Sequence, residues 1–194
     1  MWATRKQSGF TIIELLIVIV VIAILAAISI VAYNGIQQRA RNTQTLNAVT
    51  AWVKALKLYQ ADKGEWPKIY DSCLGDTSQY RYDFSAASSG DNQCHYASFA
   101  YYNVKSPFIN LMRQYIGEGS VPTPYMSTVG TSTDWYRGAA YLYGIPTPGV
   151  ARVYVQYALA GVTSKCNDIL GIVASRSEVA GGVVCTLQLG DQPI

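Results

Sequence analysis

The chain is poor in the residues that usually carry chemistry. It has one histidine, His95, and only 14% of its 194 residues are charged. No G-x-S-x-G, H-E-x-x-H or phosphate-binding glycine loop occurs, so no catalytic set is legible and the chain reads as a non-enzyme. None of the four cysteines forms a C-x-x-C pair, and His95 follows Cys94 directly, which counts against a zinc or redox centre. Asp71, Asp76, Asp83 and Asp91 share one stretch, but their spacing fits no calcium loop, so no metal or other cofactor is expected. His95 itself reads as a surface or loop residue. There is no internal repeat and no long low-complexity tract. The net charge is +3, too small for the strongly basic surface that nucleic-acid binding demands.

What the chain does have is one long apolar run. From Ile12 to Val31 the residues are Ile, Leu, Val and Ala, except for Glu14 and Ser29. About 20 residues at 1.5 Å rise span about 30 Å as a helix, the hydrocarbon thickness of a bilayer. A carboxylate at mid-membrane costs about 2.5–3.5 kcal/mol, so Glu14 needs either a shallow position or a partner. Helical character continues beyond the run. Asn34 to Ala61 has no proline, and Leu46, Val49, Val53, Leu56 and Tyr59 recur at helical spacing, with Gln44, Asn47, Lys54 and Lys57 off that stripe. One helix is expected from about Phe10 to Ala61, apolar all round in its first half and amphipathic in its second. Asn34-Gly35 is its weak point, since both are poor helix formers, and any kink is expected between Ser29 and Gly35. Arg39 and Arg41 follow, either solvated or set to meet carboxylates of another subunit. Gly64 and Pro67 end the helix.

The residues around the start of this run, Gly9-Phe10-Thr11-Ile12-Ile13-Glu14 after a leader carrying Arg5 and Lys6, resemble the N-terminus of type IV pilins and of type II secretion pseudopilins. The resemblance covers about the first 60 residues closely and the rest only in layout. It implies cleavage between Gly9 and Phe10 by a membrane prepilin peptidase and N-methylation of Phe10. Loss of the leader leaves 13 basic against 12 acidic side chains, a net charge of +1. The new Phe10 ammonium would lie four residues from Glu14. Pairing such charges between neighbouring subunits relieves the desolvation of each and fixes their offset, a registry role for Glu14. The chain departs from many pilins in carrying Val31 where they carry proline and Ala23 where they carry glycine. A secretory signal is the rival reading, but the apolar run continues past the small residues at Ala23 to Ala27.

The layout implied is α+β: a long N-terminal helix packed on a small antiparallel β-sheet head. The segments are a leader over 1–9, a transmembrane or filament-core helix over 10–33, an amphipathic helix over 34–62, and a globular head over 63–194. Within the head we expect a loop over 70–95 and a short helix over 107–116, N-capped by Ser106 with Pro107 at its first position and Gly117 as its stop. Ser120 to Thr133 reads as loop. Strands are expected at Ala139–Tyr143, Val150–Leu159, Ile169–Ala174 and Val183–Leu189, together a sheet over about 139–189. Cys73, Cys94, Cys166 and Cys185 lie in the exported part and read as disulfides. Of the three possible pairings we take the local one, Cys73–Cys94 and Cys166–Cys185, each closing a loop of about 20 residues and stabilising by about 3 kcal/mol. The second resembles the C-terminal disulfide-bounded region of many pilins.

Tyrosine is abundant, 15 residues in all. Most are read as half-buried sheet residues with hydroxyls at water, and a minority is left for subunit contacts or adhesion to glycans, DNA or a host surface. The leading functional reading is a major pilin, a homo-oligomer assembling through its helices into a surface filament for attachment, twitching motility or DNA uptake. Its partners would be the prepilin peptidase, an assembly platform protein and a motor ATPase. It would wait as a single-pass precursor in the cytoplasmic membrane before export into an extracellular pilus. The alternatives are a minor pilin or pseudopilin, towards which Gly64-Glu65-Trp66-Pro67 leans, and a membrane-anchored binding protein that does not polymerise.

Overall fold

The computed structural model describes residues 10–80, 93–97, 100–117, 119–147 and 150–193. The leader, Asp83 and Asp91 lie outside them. The chain divides into two compact units, Met1–Arg39 and Ala40–Ile194. Helix α1 (Ile12–Lys63) supplies all the described structure of the first unit and the first element of the second.

In the first unit the apolar residues are exposed, from Ile12 at 86% to Ile30 at 63%, so the segment has no protein core of its own. By length and composition it can cross a membrane. The helix continues without a break through Asn34 and Gly35. Ser29 donates its hydroxyl to the Leu25 carbonyl at 2.7 Å, which satisfies it in an apolar setting and favours a slight bend.

In the second unit the stripe of α1 is core. Val49, Trp52, Val53 and Leu56 are fully buried and Tyr59 nearly so, while Lys54 is exposed. Trp52 stacks on Phe108 of α2 (Ser106–Ile116), ring centroids 5.8 Å apart, and Phe108 stacks in turn on Tyr141 at 5.0 Å. The polar edges of α1 fasten it to the connecting chain. Trp52 Nε1 donates to the Pro122 carbonyl at 2.7 Å, and the Tyr125 amide donates to the Thr45 hydroxyl at 3.1 Å. The Asn42 amide group pairs with both backbone groups of Ala160: Nδ2 donates to its carbonyl at 3.0 Å and Oδ1 accepts from its N–H at 3.1 Å. Gly64, in the left-handed region at φ 72°, closes α1 by donating to the Gln60 carbonyl.

Among the described residues the strands are β1 (Ser72–Cys73), β2 (Gln93–Ala97), β3 (Ala100–Asn103), β4 (Thr128–Gly130), β5 (Asp134–Arg137), β6 (Ala139–Thr147), β7 (Val150–Ala160), β8 (Ala174–Val179) and β9 (Gly182–Pro193). They form one sheet in the order β4-β5-β2-β3-β1-β6-β7-β9-β8. It is larger than expected, and one pair, β1 with β3, is parallel. In β7, Ala151, Val153, Val155 and Tyr157 are buried between the more exposed Arg152, Tyr154 and Gln156, the period of a sheet with one core face. The far end returns towards β8 and β9: the Gly130 N–H reaches the Ala180 carbonyl at 2.7 Å, and Val129 packs with Ala158 and Val184.

Several expectations are corrected. The loop expected over 70–95 contains β1, a 3₁₀ turn over Thr77–Tyr80 and the start of β2, and Tyr80 is fully buried with its hydroxyl on the Leu74 carbonyl at 2.6 Å. The loop expected over Ser120 to Thr133 contains β4. Ile169–Ala174 is not a strand. Ile169 and Ile172 bridge across a tight turn with Leu170 and Gly171 at positive φ, and the strand begins at Ala174. Ser106 is inside α2. The cap position is Lys105, which makes no side-chain cap bond, while the Ser72 hydroxyl accepts the Lys105 N–H at 3.1 Å.

The Gly64-Glu65-Trp66-Pro67 junction is docked on the last strand. The Trp66 N–H donates to Gln192 Oε1 at 2.8 Å, and the Tyr141 hydroxyl donates to the Pro67 carbonyl at 2.8 Å. Replacing Asn42 with Ala is expected to lower the stability of this unit by about 1–3 kcal/mol, because the Ala160 backbone loses both hydrogen bonds to the Asn42 amide. The urea midpoint followed by tryptophan fluorescence checks this, and an unchanged midpoint would show that the amide clamp contributes nothing.

Candidate functional site

The site begins where the sequence anomaly does. Thr11 precedes the first helical residue and Glu14 is in the first turn. The Thr11 N–H and hydroxyl both donate to Glu14 Oε2, at 2.8 and 2.7 Å, and the Glu14 N–H points back at Thr11 Oγ1 at 3.4 Å. This is a reciprocal capping box, in which two otherwise unpaired amides at the helix start find acceptors. Thr-x-x-Glu is the sequence signature of that motif, and weighing Glu14 only as a membrane charge passes over it. Among the described residues nothing binds Oε1. Phe10 is 81% exposed beside this cap. The geometry thus leaves one carboxylate oxygen committed to the helix and one open to a cation from outside.

The structure joins Cys73 to Cys94 and Cys166 to Cys185. The first ties β1 to β2, and Cys94 sits where the β2–β3 register shifts. The second fastens the segment after β7 to the buried Cys185 of β9. Asn34 and Gly35 are exposed on α1, and a Cβ on Gly35 would meet nothing within 4 Å. The Arg41 guanidinium lies over the Tyr125 ring at 4.8 Å, a cation–π contact within its own chain.

His95 is corrected from a surface residue to a buried one, 7% exposed on β2. Its ring stacks on Tyr136 at 4.1 Å and tilts against Tyr102 at 4.8 Å, with Nε2 3.4 Å from Asp134 Oδ1. No three His, Cys, Asp or Glu side chains converge among the described residues. Asp76 spends Oδ1 on the backbone and hydroxyl of Ser78, capping its own turn. Tyrosines are more deeply buried than read from sequence: Tyr80, Tyr141 and Tyr157 are interior residues whose hydroxyls bond backbone carbonyls, whereas Tyr70 is 62% exposed.

A capped apolar helix, with a disulfide-bonded strand-rich unit after it, defines a helix-plus-sheet class of protein with one candidate membrane span, by length and composition, among the described residues. The comparisons specify the class. Residues 4–30 match the family model described as the prokaryotic N-terminal methylation motif. Fimbrial protein EcpC of Eikenella corrodens is 44% identical over 63 residues, 32% of this chain and 41% of that protein. Type IV major pilin protein PilE of Neisseria gonorrhoeae is 39% identical over 62 residues, 32% of this chain and 37% of its own. Type II secretion system core protein G of Escherichia coli is 34% identical over 67 residues, 34% of this chain and 46% of its own. About a third of the chain is therefore similar to fimbrial and type IV major pilin proteins and to a type II secretion system core protein. The chain spans about two fifths of the length of the curated relatives it matches. No solved structure matches it.

Burial holds the His95 pKa below its usual value, with Asp134 opposing that shift. The unfolded chain then takes up the proton first, so the stabilisation is present above the unfolded pKa of about 6.5 and is lost as pH falls through the lower folded value. Stability is expected to decline as pH falls below about 6.5, and His95→Gln to flatten that slope. Urea midpoints at a series of pH values would reveal equal slopes if His95 played no part.

Proposed function

We propose that the chain is a structural subunit of a type IV pilus, with the abundant, major subunit as the leading role. The observation that carries this is the first turn of α1, where Glu14 offers Oε1 next to the exposed Phe10 while Thr11 holds Oε2. A prepilin peptidase would cut between Gly9 and Phe10, and Phe10 would be N-methylated. The Phe10 ammonium of one subunit then meets Glu14 Oε1 of its neighbour. In an apolar filament core both charges need that partner, so the contact sets the axial offset of successive subunits. The exposed run from Ile12 to Ile30 exchanges lipid for neighbouring helices as the subunit leaves the membrane, so packing replaces lipid contact. An assembly platform and a motor ATPase would drive the exchange, and the second unit would be displayed on an extracellular filament serving attachment, motility or DNA uptake. Nothing in this mechanism requires catalysis by the chain. Asn34-Gly35 would be the place where the helix yields if packing in the filament demands it.

A second reading, a minor pilin or pseudopilin, is favoured by the docked Gly64-Glu65-Trp66-Pro67 junction and by the similarity to core protein G. The two differ in filament abundance. The test is the intact mass of the chain in fibres sheared from cells. A chain starting at Phe10, one methyl heavier and four hydrogens lighter, is expected as the dominant component. A processed form confined to membranes would favour the second reading, and a retained Met1 would overturn both. Glu14→Ala is expected to leave the chain stable in the membrane and to lower fibre yield at least about tenfold, about 1.4 kcal/mol of lost registry per contact. Fibres at wild-type yield would overturn the role given to Glu14.

A further inference from the structure

The sheet has two ends, and they are treated differently. At one end, β4 is three residues long, bonded through Gly130 to Ala180 and packed through Val129. At the other end, β8 is six residues long, and Ser175, Arg176, Ser177 and Glu178 are all exposed. An exposed edge of this length is a template for another strand.

The hairpin fixes which backbone groups are available. β8 and β9 pair from Val179↔Gly182 to Ala174↔Leu187, joined by Ala180-Gly181. A two-residue connection closes on a hydrogen-bonded pair, so Val179, Ser177 and Ser175 turn their backbone groups towards β9. Gly181 at φ 76° supplies the positive φ that the turn requires. Ala174, Arg176 and Glu178 therefore point theirs outward. Consistent with this, the Ala174 N–H bonds the Asp168 carboxylate at 3.1 Å and not β9. Among the described residues the outward groups of Arg176 and Glu178 have no backbone partner.

We propose that β8 is an interaction surface for a second copy of this chain, pairing antiparallel with the β8 of that copy about a two-fold axis at Ser177. The register follows from parity and charge. Outward residues must face outward residues, which leaves three pairings of Arg176 and Glu178. Setting Arg176 opposite Arg176, or Glu178 opposite Glu178, places like charges about 5.5 Å apart and is unfavourable. Setting Arg176 opposite Glu178 of the second copy gives four backbone hydrogen bonds and two cross-strand ion pairs. Arg176 already bonds its own Glu178 at 2.6 Å, and its other nitrogens hold the Ser164 and Val162 carbonyls at 3.2 and 2.5 Å. In the pair the four charges alternate in sign around a square, with like charges only on the diagonals, about 7–8 Å apart. The occupant is thus selected by the chain's own sequence, Arg-Ser-Glu, read against itself in reverse. The contact is isologous and closes at two copies, so it cannot build a filament. It goes beyond the proposed pilus role and does not depend on it.

All four native cysteines are in disulfides, so an introduced thiol is the one free. At the axis, Ser177 faces Ser177 as a non-hydrogen-bonded pair about 4.5 Å apart, within disulfide reach. Ser175 and its copy would be about 14 Å apart at a 3.4 Å rise per residue, beyond that reach. The experiment is mild oxidation of full-length Ser177→Cys and Ser175→Cys in membranes, read as dimer on a non-reducing gel. Dimer is expected from Ser177→Cys and at least about fivefold less from Ser175→Cys. Adding Glu178→Arg should cut the Ser177→Cys dimer about 5- to 10-fold, and adding Arg176→Glu to that chain should restore it, since the swap keeps opposite charges facing. No dimer from Ser177→Cys, equal dimer from both thiols, or a swap that fails to restore it would overturn the pairing. Because restoration is measured in a properly folded, oxidisable chain, loss by misfolding is distinguished from loss of contact.

Discussion

The second unit depends on one aromatic column. Trp52, Phe108 and Tyr141 stack in sequence from α1 through α2 to β6, and all three are fully buried. Each large ring removes about 150–250 Å² from water, and the offset stacking adds about 0.5–1.5 kcal/mol per pair. Both polar ends of the column are satisfied outside it, Trp52 on the Pro122 carbonyl and Tyr141 on the Pro67 carbonyl. The segment after α2 and the turn after α1 are thereby fixed by the same three side chains that fill the core. Truncating any of the three rings would open a cavity, and truncating Trp52 or Tyr141 would also orphan a backbone carbonyl, which is why the unit holds a single arrangement.

Helix α1 meets two opposite demands with one geometry. In its first unit the described apolar side chains are offered outward, so a partner for them would come from lipid or from another chain. In the second unit the partner is the sheet, and polar residues along the helix edge, Asn42, Thr45 and Lys57, reach backbone atoms of the connecting segments. Glu14 stands apart from both. A carboxylate in the first turn is stabilised by the helix dipole and by the Thr11 cap. That local stabilisation lowers the cost of keeping it ionised in an apolar setting without using both oxygens. A capped glutamate is thus better suited to wait for a cation than an unpartnered one, and registry and capping are compatible uses of one side chain.

How much of this is legible in the sequence depends on the range of the contacts. The helix α1, the strands β6, β7 and β9, and the end of α1 at Gly64 follow from local pattern: a continuous apolar run, strict alternation around Val153 and Val155, and a glycine before proline. The α+β class follows from those elements alone. The strands β1 to β5 do not, because they are two to five residues long, and β1 and the β2–β5 pairing depend on partners far away in the chain. The sequence Ala174-Ser-Arg-Ser-Glu-Val179 carries no strand signal because an exposed edge strand has no apolar period, and the apolar residues just before it suggest a strand too early in the chain. His95 was misplaced for a related reason. Its burial is created by Tyr102 and Tyr136, which come from neighbouring strands and are invisible to a reading of Cys94-His95-Tyr96. At the candidate site, Gly9, Phe10 and Glu14 were conspicuous in the sequence, yet the hydrogen bonding of Glu14 with Thr11 became apparent only in three dimensions.

The two ends of the sheet differ in how much template they leave for another strand. At the β4 end a valine and a backbone bond turn the edge in upon β7 and β9, so little template remains. At the β8 end Ala174 and Val179 pack at the two ends of the strand, and between them only an ion pair and serines guard the edge. A single charge of one sign along an edge repels any copy, whereas Arg176 and Glu178 two residues apart repel two in-phase antiparallel registers and admit the third. In the proposed filament, contacts through the exposed apolar run of α1 would carry no such restriction, since a continuous stripe of Ile, Leu and Val would accept neighbours at many offsets and Glu14 would choose one. Open-ended association through an apolar helix therefore needs a charge to set register, and closed association through a polar edge needs a charge pattern to set it too. In both places the direction of a few backbone groups decides which charge can be satisfied.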